Sequence, residues 1–223
     1  MISNLNQYID QTLLKADATE AEISKLIAEA KDYHFKSVCV NPTYVPFCAK
    51  QLKATDIIVC SVVGFPLGAN STATKVFEAQ TAIAAGAQEI DVVLNIGALK
   101  DKKQNFVLKE LQAIRKVCSY GVLLKVIIEI ALLTEAEKIM ACKLVSQAKA
   151  DFIKTSTGFT SQETTVADVQ LLRRYTDPKV AIKASGCIRT QEQALAMIAA
   201  GATRIGTSNG ISILNQTTGS ESH

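Results

Sequence analysis

Short runs of β-branched and apolar residues recur along the chain and alternate with stretches in which apolar residues follow helical spacing. We interpret eight of these runs as strands: residues 8–14, 37–41, 57–65, 89–96, 123–130, 151–157, 180–186 and 203–208. Helical spacing is seen at Ile23, Leu26 and Ile27, which follow a capping box formed by Thr19 and Glu22. Apolar strands that alternate with helices predict a parallel sheet covered on both faces.

Two segments, 82–93 and 196–208, share one design: an alanine-rich helix end, a glycine suited to a left-handed C-cap, and a strand. Eight such units in 223 residues match the size of a closed (β/α)8 barrel, the TIM barrel. We therefore predict a single α/β barrel domain over residues 1–215 and a polar, flexible tail over 216–223. The structural alternative is an open doubly wound sheet. Such sheets usually carry a glycine-rich dinucleotide-binding turn, and the sequence has no such motif.

The composition, 48% hydrophobic and 20% charged, is typical of a compact domain with a sizeable core. The sequence contains neither the roughly 18 to 20 consecutive apolar residues of a membrane span nor the features of a signal peptide. We therefore expect a cytoplasmic protein that does not bind membranes. The 24 Lys and Arg exceed the 21 Asp and Glu by only three, and basic residues do not alternate with aromatic ones, so nucleic acid is not an expected partner.

The sequence lacks the residues or motifs that several common catalytic mechanisms require. The six cysteines form no C-x-x-C pair, which disfavours a zinc site or a disulfide framework, and for all but Cys187 we expect reduced thiols in the core. Of the two histidines, His34 precedes a strand and His223 is the last residue, so neither is placed for a triad or a metal site. A G-x-S-x-G motif is also missing. The sequence therefore disfavours serine hydrolases and zinc enzymes.

Charged residues occur inside several predicted strands. Lys154 and Lys183 occupy matching positions in the sixth and seventh strands, each just before a turn of small residues. Asp91 in the fourth strand and Lys125 in the fifth lie at similar depth. Because the active sites of such barrels lie at the C-terminal ends of the strands, we expect these side chains to meet inside the barrel.

A lysine in a partly desolvated pocket beside a second cation loses some of its proton affinity and can attack a carbonyl group. The cluster therefore predicts an amine nucleophile. The alternative is a structural ion pair between Asp91 and a single lysine. Two lysines on adjacent strands weaken that alternative, because one acid cannot neutralise both.

Turns rich in glycine and hydroxyl residues follow the last two predicted strands, at 185–190 and 206–210. In barrels of this kind the loops after strands seven and eight often bind phosphate, and residues 209–214 could begin the short helix that assists. The turns therefore indicate a phosphorylated substrate. The alternative is that they are ordinary tight turns without a ligand.

Eight segments carry a resemblance to a known family. They read YIDQTLLK (8–15), SVCVNP (37–42), VVGFPLGANSTATK (62–75), EIDVVLNIGAL (89–99), KVIIE (125–129), DFIKTSTGF (151–159), KASGCIRT (183–190) and ATRIGTS (202–208). In order and spacing they resemble the deoxyribose-phosphate aldolase family, whose members are class I aldolases with a TIM-barrel fold.

This resemblance implies reversible aldol cleavage of 2-deoxy-D-ribose 5-phosphate to glyceraldehyde 3-phosphate and acetaldehyde, a step of deoxyribonucleoside catabolism. It implies that Lys154 forms a Schiff base, that the Lys183 ammonium favours the neutral form of Lys154, and that Asp91 transfers protons with Lys183 and a water. The residues implied to position the imine region or bind the phosphate are Thr155, Gly158, Gly186, Thr207 and Ser208. No metal and no cofactor are implied, and a homodimer is the assembly we expect.

The sequence departs from the family pattern at three positions. Cys187 stands where a second glycine is usual, which is unfavourable if the backbone there needs a positive φ. Gln11 stands where histidine is common. Asn209 stands where a small residue is usual, and we expect it still to cap the following helix. Two other functions stay open: a different imine-forming sugar-phosphate aldolase or transaldolase-like barrel, and a non-catalytic sugar-phosphate sensor, against which the intact lysine pair argues.

Overall fold

A computed structural model describes residues 4–119 and 121–216 of the chain. In these residues eight parallel strands close into a barrel in which β1 pairs with β8. The strands are β1 Ile9–Leu13, β2 Ser37–Val40, β3 Ile58–Val63, β4 Glu89–Val93, β5 Leu123–Ile127, β6 Phe152–Lys154, β7 Ala181–Ser185 and β8 Arg204–Thr207. The predicted (β/α)8 barrel and each of its predicted strands are confirmed.

Helices connect consecutive strands and form the outer layer of the barrel. They are α1 Glu20–Asp32, α2 Val45–Leu52, α3 Thr72–Ala84, α4 Ile96–Lys100, α5 Gln104–Val117, α6 Glu135–Gln147, α7 Val166–Tyr175, α8 Gln191–Ala199 and α9 Gly210–Asn215. Short 3-10 helices span Leu5–Tyr8, Pro42–Tyr44 and Ile130–Leu132. The predicted capping box begins α1, and the same device begins α6, α7 and α8, so local sequence defines where these helices start.

The two faces of β4 bury different kinds of side chain, apolar on one face and charged on the other. In β4, Ile90 and Val92 pack into the apolar layer between strands and helices, while Glu89 and Asp91 form ion pairs inside the barrel. This follows from the two-residue period of a strand, which sends alternate side chains to opposite faces. The charged site is therefore built on the inner face, and the apolar layer outside it holds the strands in place.

A second buried ion pair, outside the barrel, ties α3 to α5. The Lys75 Nζ donates to Glu110 Oε1 at 2.7 Å and to the Val93 carbonyl at 2.9 Å. Both side chains are fully buried, and Thr72 Oγ1 donates to the other Glu110 oxygen at 3.0 Å. Burial lowers the pKa of Lys75, and the Glu110 carboxylate opposes that shift. Each charge therefore depends on the other.

The C-terminal end of the fold is α9, which ends at Asn215. Of the predicted tail, residues 217–223 lie outside the described residues, and its flexibility stays a prediction. Within residues 4–119 and 121–216, none of the helices combines the length and the apolar character needed to cross a membrane.

Candidate active site

The ammonium groups of Lys154 and Lys183 both donate to the same carboxylate oxygen of Asp91. The two lysines are directly paired in the register of β6 and β7. The two Nζ atoms lie 2.9 and 2.8 Å from Asp91 Oδ2, and all three side chains are at most 2% exposed. The structure therefore brings together the three residues to which the sequence assigned the chemistry.

Asp91 accepts from a third lysine as well. Lys125 Nζ lies 2.8 Å from the other carboxylate oxygen, Oδ1. Burial alone would raise the pKa of Asp91, but the ammonium groups of Lys125, Lys154 and Lys183 outweigh it and hold that pKa well below its ordinary value of 3.8. Asp91 is thus a carboxylate that bridges three cations.

Two more acids and an arginine complete the network. Lys183 also pairs with Asp10 at 2.5 Å, and Lys125 also pairs with Glu89 at 2.5 Å. Arg204 joins those two acids, with Nη1 2.7 Å from Asp10 Oδ1 and 3.0 Å from Glu89 Oε2. These three residues were missed by the sequence analysis.

The network carries an uneven charge. Among the described residues it contains three carboxylates and four cations. Burial disfavours the ammonium form of Lys183, but the carboxylates of Asp10 and Asp91 prevail and raise its pKa above the ordinary value. Lys154, in contrast, pairs in the described part of the chain only with the shared Asp91.

A cavity of about 330 Å³ opens at the C-terminal ends of the strands and reaches Lys154. Its walls include residues 157–159 after β6, 185–189 at the end of β7 and beyond it, and 206–209 at the end of β8 and beyond it. Lys183 and Asp91 lie beneath it and do not line it. Lys154 is therefore the lysine of the network that a ligand in this cavity can meet.

The residues predicted to bind the phosphate end of the substrate divide into two groups. Those that line the cavity are Gly158, Gly186, Thr207 and Ser208. Thr155 lies behind the wall, where its hydroxyl donates to the Ser185 carbonyl at 2.8 Å and accepts from the Ser185 amide at 2.9 Å. Thr155 therefore ties β6 to β7 and does not face the cavity.

Two positions near the cavity show why glycine is favoured there, one because of its backbone conformation and one because of close packing. Cys187 lines the cavity with a φ of 59°, so the position where the family usually has glycine is left-handed here too. At Gly206, an added Cβ would lie 2.9 Å from Lys183 Cε. The glycine in β8 therefore leaves the space through which the Lys183 side chain reaches Asp91.

The start of α9 is held by a residue from β1. Gln11 Oε1 accepts from the Gly210 amide at 3.1 Å, and its Nε2 donates to Glu29 Oε2 at 3.0 Å. The expectation that the Asn209 side chain caps this helix is wrong, because that side chain donates to Ser208 Oγ instead. The glutamine that replaces the common histidine therefore supplies the cap.

One set of buried atoms in the barrel could hold a metal by distance alone. Among the described residues, the Sγ atoms of Cys39 and Cys60 and a carboxylate oxygen of Asp91 lie within 4.8 Å of one another. Both Asp91 oxygens, however, already accept from lysine ammonium groups. A cation would have to displace them, so the set does not fit a metal ion.

The sequence as a whole was then compared with known proteins. A family model described as "DeoC/LacD family aldolase" matches residues 5–218. The chain belongs to the DeoC/LacD aldolase family. This aldolase, a carbon–carbon lyase, is 52% identical over 223 residues to the deoxyribose-phosphate aldolase of Geobacillus sp. (strain WCH70), with all of both chains covered. It is 51% identical to that of Enterococcus faecalis, covering 96% of this chain and 98% of the relative.

Solved structures agree with the fold of the aldolase. An aldolase designated QR15 superposes with a TM-score of 0.91 at 43% identity, covering 96% of each chain. The deoxyribose phosphate aldolase of Aeropyrum pernix, a tetramer, superposes with a TM-score of 0.88 at 35% identity, covering 95% of this chain and 89% of that one. The predicted resemblance to deoxyribose-phosphate aldolases is confirmed.

Proposed function

We propose that the aldolase reversibly cleaves 2-deoxy-D-ribose 5-phosphate to glyceraldehyde 3-phosphate and acetaldehyde through a Schiff base on Lys154. The observation that carries the proposal is that Lys154 lines the cavity and shares its one carboxylate partner with two other lysines. Full-length relatives that are deoxyribose-phosphate aldolases support the choice of substrate. We place this reaction in deoxyribonucleoside catabolism in the cytoplasm.

The first step is the formation of the imine. Neutral Lys154 attacks the aldehyde carbon C1 of the open-chain sugar, and a proton shift from nitrogen to oxygen gives a carbinolamine. The carbinolamine hydroxyl takes up one further proton, delivered through water, and leaves as water, so that a protonated imine remains. The positive charge of this imine lies beside Asp91, where the ammonium form of Lys154 is also paired. No cofactor is required, because the protonated imine is itself the electron sink.

Carbon–carbon cleavage follows. The C3 hydroxyl loses its proton, its oxygen becomes the carbonyl of glyceraldehyde 3-phosphate, and the electrons of the C2–C3 bond form the enamine on Lys154. Protonation of C2 and hydrolysis then release acetaldehyde and restore the amine. We assign the proton transfers to Asp91, Lys183 and a water in the cavity, since Asp91 Oδ2 accepts hydrogen bonds from both Lys154 Nζ and Lys183 Nζ.

The phosphate would lie at the wall built by the turns after β6, β7 and β8. Gly158, Gly186, Thr207 and Ser208 line this side of the cavity. Arg189 lines it too and offers a cation to the dianion. Thr155 would support this wall indirectly, by holding the ends of β6 and β7 together.

Reduction of the imine tests the proposal. With acetaldehyde and borohydride, we expect the protein to gain the mass of one ethyl group at Lys154, and Lys154→Met to gain none. A label on another lysine would contradict the mechanism. Faster cleavage of fructose phosphates than of deoxyribose 5-phosphate would favour a different sugar-phosphate aldolase, and binding without turnover would favour a sensor.

The assembly is a separate part of the proposal. We propose the homodimer that was expected from the sequence, while the Aeropyrum pernix relative is a tetramer. Sedimentation equilibrium at several protein concentrations distinguishes the two.

A further inference from the structure

Glu129 is a buried acid that the mechanism above does not use. It lies just after β5, is 2% exposed and has a φ of 51° and a ψ of 72°. A left-handed backbone is unfavourable for a residue with a Cβ, and burial of a carboxylate is unfavourable unless it is hydrogen-bonded. Both the backbone conformation and the burial of Glu129 are unfavourable on their own, so contacts with the surrounding structure must stabilise the residue in this position.

Those contacts are with the turn that follows the nucleophile's strand. Glu129 Oε2 accepts from the Thr157 amide at 3.2 Å and from the Thr157 hydroxyl in a short hydrogen bond. Its other oxygen accepts from Thr160 Oγ1 at 3.4 Å. Among the described residues, Glu129 forms no ion pair with a basic side chain. Its carboxylate is therefore satisfied by the turn after β6.

The Thr157 hydroxyl transmits this anchoring to the next residues. While it donates to Glu129, it accepts from the Phe159 amide at 3.0 Å. The Phe159 ring packs edge-on against Phe65, with centroids 5.1 Å apart. Gly158, which joins Thr157 to Phe159, has a φ of 89°. The turn is thus fixed from the buried Glu129 outward to the rim of the cavity.

This turn is a wall of the substrate cavity, since residues 157–159 all line it beside Lys154. We propose that Glu129 is a positioning residue for the sugar phosphate: acting through Thr157, it sets the wall formed by residues 157–159. The proposal deepens, and rests on, the proposed aldolase function. Lys154 itself has anchors outside this turn, because its Nζ donates to Asp91 Oδ2 at 2.9 Å and its backbone pairs with Lys183 in β7.

The positions of these contacts predict a selective defect in Glu129→Ala. Under the proposed function the wall holds the sugar phosphate, whereas acetaldehyde carries no phosphate and needs Lys154 and the charged network beneath it. We expect KM for deoxyribose 5-phosphate to rise about tenfold or more, the equivalent of about 1.4 kcal/mol. The rate of borohydride trapping with acetaldehyde should change by less than about threefold. Glu135→Ala, which removes an exposed acid from the following helix, is the matched control.

A conservative variant separates positioning from a purely structural role. In Glu129→Gln the amide oxygen still accepts from the Thr157 amide, so KM should lie closer to the wild-type value than to that of Glu129→Ala. This variant also keeps the test valid if Glu129→Ala does not fold. If either variant lowers Tm and kcat while KM stays at the wild-type value, Glu129 is merely structural and the proposal is overturned.

A double-mutant cycle tests the route through Thr157. If Glu129 acts through that residue, the effects of Glu129→Gln and Thr157→Val on KM are not additive. Additive effects overturn the proposed route. A wild-type protein that fails to trap acetaldehyde at Lys154 refutes the proposed function itself. A wild-type protein that traps it, with normal KM in both Glu129 variants, refutes only the role of Glu129.

Discussion

Around Lys154, carboxylate partners are shared unevenly among the buried lysines. Lys183 and Lys125 each have a second carboxylate, whereas Lys154 shares Asp91 with both of them. Lys154, which reaches the cavity, is therefore the lysine of this network that lacks a second carboxylate among the described residues. In the proposed mechanism, the partners of the neighbouring lysines therefore select the nucleophile as much as its own contacts do.

Replacing Lys183 with methionine should therefore protect the ammonium form of Lys154. Without Lys183, three cations face three carboxylates, and the charged form of Lys154 is balanced. We expect the midpoint of the pH profile for imine formation with acetaldehyde to move upward by at least about one unit. The exposed Lys116→Met is the control, and an unchanged midpoint in Lys183→Met would refute the coupling.

Cys187 tests the cost of a side chain in a left-handed position. Cys187→Gly and Cys187→Ala both remove the thiol, but only glycine tolerates a φ of 59° without strain. We expect the free energy of unfolding in urea to be about 1 kcal/mol higher for the glycine variant than for the alanine variant. Equal stabilities would show that the backbone relaxes around the Cβ.

At the scale of elements, hydrophobic periodicity was enough to predict the strands and the ring they form. The same periodicity contained a signal for Glu89, which lies two residues before Asp91 and so on the same face of β4. Asp10 and Arg204 carried no comparable local signal, because their pairing depends on the closure of β1 against β8. The sequence therefore indicated Lys154 and Lys183, but not Asp10 and Glu89, which pair with the neighbouring lysines.

Contacts between loops were the least accessible to prediction. Glu129 and Thr157 are 28 residues apart, and neither the left-handed backbone nor the turn they fix follows a repeating pattern. The cap on α9 is similar, since Gln11 and Gly210 are 199 residues apart. Sequence patterns report on the faces of elements, whereas such contacts depend on the tertiary packing of loops.

The link between α3 and α5 gives a prediction at this scale. Lys75→Met alone leaves Glu110 buried without its cation, and we expect a loss of about 3 to 5 kcal/mol in the free energy of unfolding. The double variant Lys75→Met/Glu110→Leu removes both charges and should recover most of that loss. Urea titrations of the two proteins measure the difference. A double variant no more stable than the single one would assign the loss to packing.

For the whole molecule, the interior network predicts how stability varies with pH. The folded pKa values of Asp10 and Asp91 lie below 3.8, so the unfolded state binds more protons in acid. Their stabilisation is full above about pH 4 and is lost as the pH falls toward the folded values. The raised pKa values of Lys125 and Lys183 act in the opposite direction, so their stabilisation is lost as the pH rises above about 10.5.

Urea unfolding between pH 3 and pH 8, as an order-of-magnitude window around these ordinary pKa values, checks the acid limb. We expect the free energy of unfolding to rise with pH at the acid end and then to level off. Asp10→Asn removes one of the two groups and should make the rise shallower. A profile that is flat in acid, or the same slope in the variant, would contradict the assignment.

The ring of strands also governs when reactivity can arise during synthesis. Asp10 and Arg204 meet across 194 positions of sequence, so they can pair only after β8 has been synthesised. Until β8 leaves the ribosome, Lys154 has neither its complete electrostatic surroundings nor a closed cylinder around it. If Lys154 is the proposed nucleophile, its amine should therefore become reactive toward aldehydes only after β8 has closed the barrel.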